Sequence, residues 1–148
     1  MRKHMIWLIV FSVFVASGNL AAQERKKVEL CIAGGALFSS GGYGPVGGLS
    51  LGYTSKYVGV EVNGAYIGGV GVFGANLVAG LFDNKRYIPY ATGGLWTSTY
   101  GGLGFYIGGG IKVKVSPRYA WRTEYRRYIV GDSKWGLNAV VSGISIFF

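Results

Sequence analysis

Large apolar side chains alternate with small or polar ones, at a period of two, through most of this chain. In residues 103–115, Phe105, Ile107, Ile111, Val113 and Val115 share one face, and Tyr106, Gly108, Gly110, Lys112 and Lys114 share the other. Residues 118–130 set Tyr119, Trp121, Thr123, Tyr125 and Ile129 against Ala120, Arg122, Glu124 and Arg126. Residues 57–67 set Val58, Val60, Val62 and Tyr66 against Gly59, Glu61, Asn63 and Ala65. Side chains of a β-strand point alternately to its two faces, so this period predicts strands. No stretch sustains the 3.6-residue apolar stripe of a helix, and no helix-capping pattern occurs.

Short groups holding Gly, Pro, Asn, Asp or Ser interrupt the alternation, and these residues supply turn geometry. They divide the chain into eight predicted strands, residues 28–38, 45–53, 57–67, 72–82, 87–97, 103–115, 118–130 and 136–148. Short strands at regular spacing predict a sandwich or a barrel. The last one alternates up to Phe148, with Val140, Ser142, Ile144 and Ile146 on one face and Ala139, Val141, Gly143, Ser145 and Phe147 on the other. A strand that runs to the final residue is expected to pair into a closed structure.

The character of the second face separates barrel from sandwich. A soluble sandwich buries its large apolar face and shows charge to water. Here the second face is small, glycine-dense or charged, which suits the crowded interior of a narrow barrel, and the large apolar face is left to point into lipid. That inverted pattern predicts an all-β, eight-stranded antiparallel up-and-down transmembrane β-barrel. The rival, a soluble barrel of lipocalin type with a greasy cavity, requires the large apolar face to point inward. With the N-terminus periplasmic, Tyr53, Tyr57, Phe82, Tyr87, Tyr119 and Phe148 fall near the periplasmic rim, and Phe38, Tyr66, Phe73, Trp96, Phe105, Tyr128 and Trp135 near the outer rim. Two aromatic belts are what anchoring at headgroup level produces. Tyr90, Trp121 and Tyr125 lie nearer mid-strand and dilute the pattern.

The start of the chain fits an export role. Arg2, Lys3 and His4 precede an apolar run from Met5 to Ala16 and then small residues, the plan of a secretory signal peptide. The run is shorter than the 20 or so residues of a spanning helix. Residues 1–22 are the expected signal peptide, cut after Ala22 with Gly18 as the alternative, and residues 23–148 the barrel domain. Cys31 follows Val28-Glu29-Leu30 rather than a lipobox, so lipid modification there is not expected. Loss of Arg2 and Lys3 lowers the formal net charge from +9 to +7. After export, such a basic balance points to anionic headgroups or a surface polyanion rather than to nucleic acid. Cys31 is the only cysteine, so no internal disulfide can form. The 27 glycines follow no triplet period, which excludes collagen, and a 50% hydrophobic content argues against disorder.

The strongest chemical constellation is the set of charges on the inward face: Glu29, Glu61 and Glu124 against Lys112, Lys114, Arg122 and Arg126. An eight-stranded barrel is just wide enough for side chains to fill it, and a charge there must be paired. Paired acids and bases would plug the lumen; the alternative is a selectivity ring in a conducting pore. Gly69, Gly71 and Gly74 spell G-x-G-x-x-G, but an alternating strand follows rather than a helix, and no acid stands near position 91. The single histidine is His4, inside the signal, so Ser–His chemistry and imidazole metal sites are not expected, and no cofactor is. Arg25-Lys26-Lys27 reads as a solvated run or a contact to anionic headgroups of the inner leaflet. Arg127 interrupts the outward apolar face near the outer rim, where it meets lipopolysaccharide phosphates, snorkels, or marks a bulge.

Gly108-Gly109-Gly110-Ile111-Lys112-Val113-Lys114-Val115-Ser116-Pro117, followed by Trp121-Arg122-Thr123-Glu124-Tyr125-Arg126, resembles the penultimate hairpin of the small eight-stranded outer-membrane barrels, the OmpA-like and opacity-type porin family. In that hairpin a base and an acid two residues apart point inward. The resemblance covers nearly the whole of residues 23–148 and implies location in the bacterial outer membrane, both termini periplasmic, and a monomer. It makes the terminal Phe148 a recognition signal for the barrel assembly machinery. Outer-membrane lipid and lipopolysaccharide are the other implied partners. The connectors are short on both sides, unlike the long receptor-binding loops of many relatives. The expected function is a structural, envelope-integrity or surface-interaction role without catalysis. The alternatives are a minor porin or transporter of small or hydrophobic solutes and, last, an outer-membrane lipid enzyme.

Overall fold

Eight strands realise the alternation in a computed structural model, which describes residues 27–55, 57–81, 86–129 and 136–148. They are β1 (Lys27–Ser39), β2 (Gly42–Thr54), β3 (Val58–Ile67), β4 (Val70–Gly80), β5 (Tyr87–Ser98), β6 (Leu103–Lys114), β7 (Tyr119–Ile129) and β8 (Gly136–Phe147). The expected signal peptide with its cut after Ala22 or at Gly18, Arg25, Lys26, Phe82, Asp83, Val130, Asp132 and Trp135 lie outside the described residues. Each strand pairs antiparallel with its chain neighbours, and β8 pairs with β1 to close the barrel. The seam is fastened to the last residue, where the Phe148 amide donates to Val28 O at 2.9 Å.

Register fixes the geometry. The ladder followed from Val28 through Tyr53, Val60, Leu77, Gly93, Ile107, Arg127 and Asn138 returns to β1 at Phe38, ten residues along. A shear of ten on eight strands tilts them by about 40° from the barrel axis, given the rise per residue and the strand spacing. A strand of 11 residues so tilted reaches across a hydrocarbon core.

Two connectors are tighter than the sequence predicted. Residues 40–41 alone join β1 to β2, because Tyr43 and Gly44 pair with Phe38 and Leu37 instead of staying in a loop. Gly68 and Gly69 form the β3–β4 turn with φ of 54° and 95°. Two successive left-handed residues match the twist of the flanking strands, and glycine carries no Cβ penalty there.

The large apolar face is on the outside, contrary to the lipocalin-type alternative. Ile32, Leu49, Val62, Leu77, Leu95, Ile107, Trp121 and Ile144, one from each strand in order, are all exposed. A soluble monomer does not present a continuous apolar girdle on this scale, whereas a bilayer requires one. The chain is thus a closed transmembrane barrel. Inside, several glycines sit where a neighbouring strand comes too close for a side chain: a Cβ on Gly108 would collide with the carbonyl oxygen of Tyr125, and one on Gly143 with that of Ile32. So close an approach leaves no room there for even a methyl group.

Candidate functional site

The interior is occupied in two tiers. The tier nearer the chain termini is ionic and centres on Arg122 of β7. Its Nη1 lies 2.6 Å from Glu61 Oε1 of β3 and its Nη2 3.1 Å from Glu61 Oε2, a bidentate pair across the lumen. The same guanidinium holds Glu124 of its own strand, with Nη2 2.5 Å from Oε2. Successive inward positions of a strand are two residues apart, which is why a base at 122 and an acid at 124 meet. Arg126 Nε donates to the other Glu124 oxygen. Lys112 Nζ of β6 reaches Glu29 Oε2 of β1 at 2.5 Å, and Arg122 Nη1 stands 3.7 Å from Glu29 Oε1. Three acids and three bases, all buried, therefore balance. Lys114 faces the same way two residues closer to the termini and is half-buried.

Polar side chains extend the cluster around the wall. Tyr90 of β5 donates its hydroxyl to Glu124 Oε2 at 2.7 Å and accepts from Arg122 Nε at 2.7 Å, while its ring lies under that guanidinium, 4.9 Å from carbon to centroid. Asn76 Nδ2 donates to Glu61 Oε2 at 3.2 Å and to Thr92 Oγ1 at 3.0 Å. Asn63 Nδ2 donates to Asn76 Oδ1 at 2.7 Å and to Tyr106 OH at 3.2 Å. Hydrogen bonds to charged groups in a low-dielectric interior are the strong ones, and a chain of them holds each member in one rotamer.

The tier at the opposite end is apolar. Val46, Ile67, Val72, Tyr106, Tyr128 and Ala139 form a buried cluster with Trp96 and Leu37 packed against it. Trp96 and Tyr128 meet edge to face at 6.0 Å between centroids, and Tyr106 and Tyr128 at 5.3 Å. This corrects two expectations: Trp96 and Tyr128 are not members of the outer aromatic belt but point into the barrel. Parity already carried that information, since Tyr128 shares a face with Arg126 and Glu124, and Trp96 with Tyr90 and Thr92. Tyr90 was a mid-strand anomaly in the sequence and is a buried partner of the ion cluster. A cavity of about 40 Å³ lies between the tiers, lined by residues including Cys31, Ser50, Asn63, Arg122, Arg126 and Tyr128. That is room for a water or two. Cys31 is a buried free thiol in its wall, as a small inward residue should be.

The remaining expected positions lie elsewhere. Phe148 is exposed at the end of the seam. Arg127 faces outward, paired in register with Ile107 and Asn138, and its guanidinium reaches back over Gly136, toward the β7–β8 connector. Gly69 of the G-x-G-x-x-G run is in a turn and Gly71 and Gly74 are in β4, so the helix a dinucleotide site needs does not follow. Among the described residues, no group of three or more His, Cys, Asp or Glu could hold a metal ion.

These features define the class, a closed eight-stranded antiparallel transmembrane barrel. Solved structures agree on the fold. The chain is similar to the N-terminal β-barrel domain of Pseudomonas aeruginosa OprF, at a TM-score of 0.71 and 15% identity over 85% of this chain and all (100%) of that one. It is similar to Neisserial surface protein A at a TM-score of 0.64 and 18% identity, covering 83% and 97% of the two chains. It is similar also to the attachment invasion locus protein Ail of Yersinia pestis, solved with the heparin analogue sucrose octasulfate, at 0.56 and 13%, covering 85% and 100%. No protein-family model and no curated protein matches the chain.

Proposed function

We propose that the chain is a structural barrel of the bacterial outer membrane, exported behind a cleaved signal peptide and closed to solutes. Its role is then to support envelope integrity or surface contact without catalysis. The observation that carries this reading is the two-tier filling. Any path through the barrel has to pass the ion cluster around Arg122 and then the aromatic cluster around Tyr128. Opening the first tier separates buried charges, which costs several kcal/mol per uncompensated ion. The second is mostly aliphatic and aromatic surface, which offers a hydrated solute little in place of its water. The minor-porin alternative needs a continuous water path past Glu61, Lys112, Arg122 and Glu124, whereas those four are joined by ion pairs and hydrogen bonds and the cavity beside Arg122 holds about 40 Å³. The fold shared with OprF, Neisserial surface protein A and Ail supports outer-membrane residence, with both termini in the periplasm.

Partners follow from the exterior. Arg127 would meet a lipopolysaccharide phosphate, a reading supported by its exposed position and by its guanidinium lying beside Gly136. Phe148 supplies the terminal aromatic read by the assembly machinery, and the barrel functions as a monomer. Planar-bilayer recording of the purified protein tests the closed-lumen reading. It predicts no steady current for the wild type, and a sizeable, sustained conductance would replace it with the porin reading.

A further inference from the structure

The end of the barrel that bears the chain termini repeats one dipeptide. Lys56-Tyr57, Arg86-Tyr87 and Arg118-Tyr119 stand at the entries to β3, β5 and β7, and Lys27 opens β1 behind Arg25-Lys26. Every strand that leaves this end is therefore introduced by a base. The connectors at this end carry Lys56, Lys85, Arg86 and Arg118 against a single acid, Asp83. The acids of the described residues, Glu29, Glu61 and Glu124, are buried in the lumen and unavailable to this rim. At the other end, residues 40–41, 68–69 and 99–102 hold no charge, and residues 130–135 hold one acid and one base, Asp132 and Lys134.

The structure shows what the repeat sets up. Tyr57, Tyr87 and Tyr119 are exposed at the strand entries, and Arg86 and Arg118 are exposed one residue beyond. The backbone under both arginines is tied into the barrel edge: Arg86 O accepts from Lys114 N at 2.8 Å and Arg118 O from Phe147 N at 2.9 Å. Arg86 also lies 5.8 Å from the Tyr87 ring centroid. A tyrosine ring rests at the boundary of hydrocarbon and headgroup, so a long cation carried just past it arrives at phosphate level.

We propose that this rim is a collar for anionic phospholipid headgroups, Arg86 beside Tyr87 and Arg118 beside Tyr119 each presenting its cation to one phosphate in the periplasmic leaflet. The assignment to that leaflet rests on the reading above, in which the termini face the periplasm. Two such pairs on one mouth would gather negatively charged lipid beneath the barrel and fix its depth in the bilayer, and the sequence repeats the dipeptide at Lys56-Tyr57. A membrane-adjacent base attracts anionic lipid by about fivefold.

The test equilibrates the purified protein with vesicles of equal phosphatidylglycerol and phosphatidylcholine, then counts retained lipids by native mass spectrometry. The expected result is at least a fivefold preference for phosphatidylglycerol, weakened by salt, on the scale of one such cation. It should fall to near unity in K56Q/R86Q/R118Q, survive in K56R/R86K/R118K, and survive in K134Q, whose change is in the β7–β8 connector. Heat-modifiable migration on a gel checks that each variant is folded. A wild type that inserts but shows no preference, or a triple glutamine variant that keeps it, overturns the collar alone. Failure of the wild type to insert into either lipid overturns the membrane reading beneath it. Retention on purified cell-wall sacculi that the triple variant loses, with no lipid preference, overturns the collar in favour of a wall polymer.

Discussion

Arg122 carries more of the interior than any other residue. Five polar contacts converge on its guanidinium from Glu61, Glu124 and Tyr90. Arg122→Ala leaves Glu61 and part of Glu124 buried without a counter-charge, and removing one partner of a buried pair costs about 3–5 kcal/mol. Equilibrium unfolding in urea, followed by tryptophan fluorescence, should show that loss. Tyr90→Phe removes only a hydroxyl bridge and should cost about 1–2 kcal/mol. Equal midpoints for the two variants would mean the cluster is not centred where the distances put it. Interior glycines are as demanding in the other direction. Gly110→Val places a branched side chain against the Thr123 carbonyl and the Tyr90 hydroxyl. Overpacking of this kind costs about 1–3 kcal/mol or blocks closure, and the heat-modifiable band on a gel reports it.

At the scale of the strands, most of the architecture is legible in residue order. Alternation and turn residues locate all eight strands; the ends move by one to three residues, outward where a partner extends the ladder, as Phe38 does for Tyr43, and inward by a residue or two at strands such as β6 and β7. Which acid meets which base is not legible. Glu29 and Lys112 are 83 residues apart in the chain and meet across a barrel whose shear no single strand encodes. The apolar tier was hidden for a different reason: rim aromatics look alike whether they point to lipid or inward, and only parity within each strand separates Trp96 and Tyr128 from Phe105 and Tyr125. That tier gives β5 and β7 a packed contact near the loop end, and Tyr128→Ala should cost about 3–5 kcal/mol, comparable to core truncations in soluble domains. Thermal denaturation in detergent measures it; an unchanged midpoint would mean the cluster contributes nothing to stability. The seam between β1 and β8 depends on the final strand, so deletion of Phe148 should lower membrane insertion in cells while export continues. Unchanged outer-membrane levels would remove the assembly role assigned to it.

For the molecule as a whole, the decisive property is inversion: large apolar residues outside, charge and close-packed aromatics inside. Inversion explains the glycine content, the exposed girdle and the balanced buried charges together, and the proposed closed lumen and basic rim both depend on it. The two tryptophans of the described residues report on it from opposite faces. Trp121 lies exposed among outward residues and Trp96 is packed beside Tyr128 in the interior. Single-tryptophan variants reconstituted in bilayers with brominated acyl chains test the inversion directly. With only Trp121 retained, the chain-brominated lipid should quench its fluorescence strongly. With only Trp96 retained, quenching should be weak. Strong quenching of Trp96 together with a protected Trp121 would contradict the account, since the large apolar face would then be the buried one.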